Sequence, residues 1–99
     1  MTSTTDKKHL RRLGHKLKPV VTISSKGLTN TVNAEIDRAL SDHELIKVKL
    51  SAGDRTVKKI LATQICTSQN AESIQAIGNI LLIFRQSDKP NPRLSNLLR

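Results

Sequence analysis

The spacing of apolar residues in this chain switches repeatedly between a helical and a strand period, and that alternation constrains the fold more than any other feature. Leu10, Leu13 and Leu17 recur at three and four residues, which places one apolar stripe on a helix from about Asp6 to Lys16. Pro19 ends it, and Val20-Val-Thr-Ile23 is β-branched and short enough for a strand. Ser24-Ser-Lys-Gly27 reads as a loop. Thr29 or Asn30 can cap a second helix whose inner face is Val32, Ile36, Ala39 and Leu40. From Glu44 to Leu50 the period is two, with Ile46, Val48 and Leu50 on one face and Lys47 and Lys49 on the other. One side of that strand is buried and the other is wet.

Ala52-Gly-Asp54 makes a turn, and Asp54 can cap a third helix with Val57, Ile60, Leu61 and Ile65 as its buried stripe. Ser73 to Ile77 and Ile80 to Arg85 are strands joined at Gly78-Asn79, residue types that tolerate the positive φ of a tight hairpin. The order α-β-α-β-α-β-β predicts an α/β fold, a two-layer sandwich with a mixed four-stranded sheet. Right-handed crossovers are expected at the second and third helices. The unbroken apolar run Ile80-Leu-Leu-Ile-Phe84 predicts an interior position for the last strand. The expected division is a disordered segment 1–5, one domain over 6–86, and a tail over 87–99 that docks only through Leu94, Leu97 and Leu98.

Composition narrows the partner. Seventeen Lys and Arg against eight Asp and Glu give the 99-residue chain a net charge of +9. An excess that large in so small a domain favours a polyanion, and nucleic acid is the commonest one. Phe84 is the only aromatic residue besides histidine, so recognition cannot use a platform of stacking rings. That excludes single-strand binding of the RRM or OB type. A lone cysteine, Cys66, cannot form an internal disulfide, and the N-terminus carries no apolar stretch behind its charges. The apolar runs are too short to span a bilayer. The expectation is a cytoplasmic protein without a membrane partner, and a monomer.

The charge is local. Residues 1–30 hold seven basic side chains against one acidic, a net of +6, while the remaining 69 carry only +3. On a helical projection the three leucines fall within about 60° of one another. Lys8, Arg11, Arg12, His15 and Lys16 lie opposite them, so burial of the leucines leaves one cationic ridge. A membrane-surface helix would need a stronger apolar side than three leucines. Beyond the ridge, Ser24-Ser-Lys-Gly27 joins a strand to a helix N-terminus, a place suited to anions. Gly27 permits close approach or positive φ, Ser24, Ser25 and Thr29 bring hydroxyls, and Lys26 brings a charge flanked by Lys18. Ser25 and Gly27 are expected to offer backbone donors. Arg55, Lys58 and Lys59 form a second basic group whose position relative to the first is not derivable from spacing.

The run Leu13-Gly-His15-Lys-Leu-Lys-Pro19-Val-Val-Thr-Ile23, then Gly27-Leu-Thr, then His43-Glu-Leu-Ile-Lys-Val-Lys49, with Ile77-Gly78 later, resembles the bacterial YhbY family. These blocks are signatures of the CRM domain, the chloroplast RNA splicing and ribosome maturation module, and they cover about residues 5 to 86. The resemblance implies a fold similar to the C-terminal domain of bacterial translation initiation factor three. It also implies association with precursors of the large ribosomal subunit (pre-50S) and contact with RNA through a G-x-x-G loop, comparable to the backbone clamp of KH domains. Ser24, Ser25, Lys26 and Gly27 stand at the matching positions, with Ser24 in place of the first glycine. Either that position needs positive φ, where serine costs about 1 kcal/mol or more, or it needs only a small side chain, which serine supplies together with a donor.

Catalytic patterns are missing. His9, His15 and His43 have no metal-ligand spacing, and no P-loop, nucleophile elbow or dinucleotide fingerprint occurs. The expectation is no enzyme activity, metal, cofactor or small-molecule substrate. The favoured function is binding of ribosomal RNA in large-subunit precursors through Lys8, Arg11, Arg12, His15, Lys16, Lys18, Ser24, Ser25, Lys26, Gly27 and Thr29. A general DNA-binding protein and a basic module for an acidic protein are the alternatives.

Overall fold

A computed structural model describes residues 4–51 and 53–86. The tail with Leu94, Leu97 and Leu98 lies outside the described residues, as do the first three residues of the expected N-terminal segment. The elements follow the expected order: α1 (Thr4–Gly14), β1 (Pro19–Ile23), α2 (Asn30–His43), β2 (Leu45–Leu50), α3 (Arg55–Gln69), β3 (Glu72–Ile77) and β4 (Ile80–Phe84). Their ends are set by local chemistry. Thr29 caps α2, its hydroxyl accepting the Val32 N–H at 3.2 Å, and Asp54 caps α3 by accepting the Val57 N–H at 2.9 Å. Asn70 ends α3 in the left-handed region with φ 53. Gly78 supplies the positive φ of the hairpin, whereas Asn79 does not need it.

The sheet order is β1-β2-β4-β3. β1 runs parallel to β2, while β4 is antiparallel to both β2 and β3. The strand closing the sequence of elements is thus interior, as its apolar run requires. The crossover through α3 passes over β4 to reach β3. Because α2 and α3 pack on the same face while the chain advances in one direction, both crossovers have one hand.

β4 is packed on both faces, and β2 on its α2–α3 face and, at Leu45, on the other. Ile46, Val48, Leu50, Leu81 and Ile83 meet Ile36 and Leu40 of α2 and Leu61 and Ile65 of α3. On the other face Leu45, Leu82 and Ile74 meet Leu10, with Leu13, Leu17 and Phe84 around them. α2, α3 and the sheet form the expected two-layer sandwich, and α1 adds a partial third layer. Each fully buried aliphatic side chain contributes about 1.5–3 kcal/mol relative to exposure.

Two expected core residues are not in the core. Val57 and Ile60 are 44% and 53% exposed. α3 reaches the sheet through Leu61 and Ile65, while Val57 rests on Gly53 and Ile60 is turned about 100° from Leu61. Buried Gln69 braces the two helices instead, donating to the Asn33 carbonyl at 2.9 Å. Arg85 locks the end of β4 to both, donating to Asp37 at 2.8 Å, Ser41 at 2.9 Å and the Gln69 carbonyl at 3.3 Å.

Gly14 lets α1 settle on the sheet. A Cβ there would stand 2.5 Å from Leu82 Cδ2, and Leu82 is only 2% exposed, so it has nowhere to swing. Helix propensity favours Gly14→Ala by up to about 1 kcal/mol, but forced overpacking costs about 1–3 kcal/mol. Urea denaturation of Gly14→Ala is expected to show net destabilisation of about 1 kcal/mol; a gain in stability would show that α1 does not seat against Leu82.

Candidate nucleic-acid interface

The loop after β1 is a tight turn closed on itself. Gly27 N–H donates to the Ser24 carbonyl at 2.9 Å, and Lys26 N–H leans on Ser24 Oγ at 3.4 Å. Gly27 has φ 75, and nothing lies within 4 Å of where its Cβ would stand. The glycine is needed for its backbone angle, not for room. Ser24 is not among the described residues with positive φ, so only the second position of the G-x-x-G pattern demands glycine. A serine at the first position carries no backbone strain and serves as the turn's acceptor. Gly27, in contrast to expectation, has no free N–H, because the turn consumes it. Ser25 N–H makes no hydrogen bond with a described residue, and the Ser25 and Lys26 side chains are exposed. Thr29 is half-buried and occupied as the α2 cap, so its hydroxyl contributes structure more than contact.

On α1, Lys8 and Arg12 are exposed and Arg11 half-buried, and exposed Lys16 follows just past the helix end. His15 leaves the ridge. The helix stops at Gly14, and the next residue turns toward the sheet, where it lines a shallow recess with Lys47 and Gln75. α1 covers its face near Leu45, Leu82 and Phe84, and two rows of residues are left without full cover by any described residue. One runs Pro19-Lys47-Leu82-Gln75 across the four strands, and the other Thr22-Lys49-Ile80-Ile77. Lys47 and Lys49, with exposed Lys18, carry positive charge across this bare strip from α1 to the loop. Sequence reasoning recognised the wet face of β2 but gave it no role. The missing signal was that α1 lies on that same face.

The second basic group stands on α3, on the opposite face of the sheet from α1, but at the same end as the loop. Ser51 N–H donates to the Ile23 carbonyl at 2.9 Å and Leu50 N–H to the Asn79 carbonyl at 2.7 Å. The 24–27 loop, Ser51 and the 78–79 hairpin therefore share one end of the sheet. Lys58 donates to Asn79 there, with Arg55 and Lys59 exposed beside it on α3. None of Lys8, Arg11, Arg12, Lys16, Lys18, Lys26, Lys47 or Lys49 pairs with a described carboxylate. Arg85 does, through Asp37, and is excluded from the interface. Glu35, Asp37 and Asp42 lie on α2, across the sheet from α1. The molecule is polarised.

Burial pushes the Cys66 thiol above its ordinary pKa, the opposite of what a nucleophilic cysteine needs. Among the described residues no three His, Cys, Asp or Glu side chains gather as a metal site, and no helix is long and apolar enough to cross a membrane.

The described residues thus present cations without carboxylate partners from α1 over the partly open sheet to a tight glycine turn, within an α/β domain. The chain matches the CRS1 / YhbY (CRM) domain over residues 3–85, and it belongs to that family of RNA-binding domains. It is 44% identical over 93 residues to a Pseudomonas aeruginosa protein named "Probable RNA-binding protein", spanning 94% of this chain and 89% of that one. It is 42% identical over 92 residues to an RNA-binding protein of Haemophilus influenzae, covering 93% of each. The solution structure of a Staphylococcus aureus protein superimposes with a TM-score of 0.80 at 31% identity, over 90% of this chain and 93% of that one.

Because Gly27 is required for φ alone, substitution should follow backbone preference, not volume. Gly27→Asn is expected to cost a few tenths of a kcal/mol, since asparagine visits the left-handed region, and Gly27→Val about 1–2 kcal/mol. Chemical denaturation of both variants checks the order, and equal costs would contradict it.

Proposed function

We propose that this protein binds ribosomal RNA of large-subunit precursors in the cytoplasm, as a monomer, and that its role is assembly rather than chemistry. One observation carries the reading. Cations without carboxylate partners run from Lys8, Arg11, Arg12 and Lys16 through Lys18, Lys47 and Lys49 to Lys26. Folded RNA offers phosphates spaced along such a path, and the Ser24–Gly27 turn is narrow enough to seat against them. The acidic side chains of α2 oppose the reverse orientation. Relatives named as RNA-binding proteins, covered over nearly their whole length, support the same partner. With so much of the energy in phosphate contacts, the affinity follows salt.

If about six phosphates are neutralised, binding to a ribosomal RNA fragment weakens roughly 10³-fold between 50 and 200 mM salt. Arg12→Ala and Lys26→Ala should each flatten the log–log slope by about one. A flat salt response, or equal affinity for duplex DNA of the same length, would overturn an RNA-directed role. Sedimentation of the tagged protein through a ribosome gradient tests the particle. Co-migration with large-subunit precursors is the expected result, and partners that survive nuclease digestion would indicate a protein target instead.

A further inference from the structure

The bare half of the sheet holds a recess that phosphate binding does not explain. It measures about 190 Å³ and is lined by His15, Lys47, Gln75, Ile77, Ile80 and Leu82. Its origin is geometric. α1 ends at Gly14, seated on Leu82, so no described residue covers the sheet beyond Leu82. Ile80 and Leu82 form the floor, and Ile77, which is 64% exposed, forms one wall. Lys47 and Gln75 flank Leu82 in one row across three strands. The His15 ring closes the side where the helix stops.

We infer that this recess receives one unpaired nucleobase of the bound RNA, a proposal that rests on the RNA-binding reading above. The volume equals the liquid share of about six waters, too small for a drug-sized ligand or whole nucleotide cofactor but suited to a single planar ring system. A phosphate would gain from Lys47 but would lie on an apolar floor that gives it nothing. A base uses both parts: its face covers Ile80 and Ile77, and its edge meets polar groups. Gln75 presents a donor and an acceptor side by side, the pattern that reads a base edge bidentately. His15 is the one ring at the site, and imidazole is among the side chains on which unstacked RNA bases settle. The position fits as well, since Lys18, Lys47 and Lys49 bring the RNA backbone past the opening. A paired base cannot enter. The recess therefore selects RNA with a bulge or loop over continuous duplex, and it gives an otherwise backbone-directed surface a means of choosing its site.

The test uses the full chain and two RNA hairpins with identical stems, one carrying a single bulged 2-aminopurine. Wild-type protein is expected to bind the bulged hairpin about ten-fold more tightly, with a change in the fluorescence of the bulged base at saturation. Gln75→Leu and His15→Ala should each bring the ratio close to one, whereas Lys26→Ala should weaken both hairpins alike and preserve the ratio. Gln75→Glu, which keeps the shape of the edge-strand side chain, should also lose the preference, and circular dichroism confirms folding of each variant. Tight, salt-sensitive binding with a ratio of one and unchanged fluorescence would overturn the nucleobase site alone. Failure to bind either hairpin would overturn the RNA-binding reading along with it.

Discussion

The burial of β4 on both faces is the constraint on which the rest of the architecture depends. Leu81 and Ile83 point to α2 and α3 while Leu82 points to α1, and all three are shut from solvent. A strand apolar on both sides cannot stand at an edge or face water, so it takes an interior place beside β2 and requires cover above and below. Two helices supply the cover on one side. On the other, among the described residues, there is only α1, with Leu10, Leu13 and Leu17 around its contact. Eleven residues of helix do not cover a four-stranded sheet. The incomplete layer is what leaves β2 with lysines at two successive outward positions, and it ties a core requirement directly to an exposed cationic face.

Much of this was legible in the sequence because the signals were local or strictly periodic. The seven elements follow from apolar spacing, the Thr29 and Asp54 caps from residue type, and the interior position of β4 from an unbroken apolar run. What escaped depended on which elements share a face, and periodicity carries no such information. Lys47 and Lys49 read as the wet side of a strand; that they share a face with α1 follows only from the fold. Val57 and Ile60 match the helical stripe as well as Leu61 does, yet α3 meets the sheet over too short a length to bury them. The hydrogen bond from Gly27 to Ser24 was equally invisible, since spacing does not show which N–H groups a turn consumes. His15 followed the projection of an ideal helix, and the helix ended one residue earlier.

Two glycines matter to the interface in opposite ways. Gly14 is a question of volume: the α1 backbone lies against Leu82 closely enough that a single carbon intrudes. Gly27 is a question of dihedral angle in open space. The first sets how deeply α1 seats and where it stops, hence the position of the ridge and the bareness of the sheet behind it. The second sets the turn that holds Lys26 outward. Ser24 belongs to neither case. Its backbone has an ordinary sign of φ, so the serine in place of the family's first loop glycine changes composition without changing the path of the chain.

The scarcity of aromatic residues then has a structural reading. Open-sheet RNA binders place rings on the outward face and stack bases over a wide, flat area. Here the comparable face is partly roofed by α1, and the rest, among the described residues, carries lysine, threonine and glutamine beside the aliphatic Ile77 and Ile80. Such a surface offers charge to phosphates and no platform of rings to bases, which fits the proposed binding of folded RNA. Its cations are unpaired within the described protein, so they need not be released from carboxylates before they meet RNA. The folded core stays clear of that exchange. Arg85, the cation committed to an ion pair, ties β4 to α2 on the acidic side of the molecule. Stability and binding therefore draw on different charges, and a cation removed from the ridge should weaken the complex while leaving the fold intact.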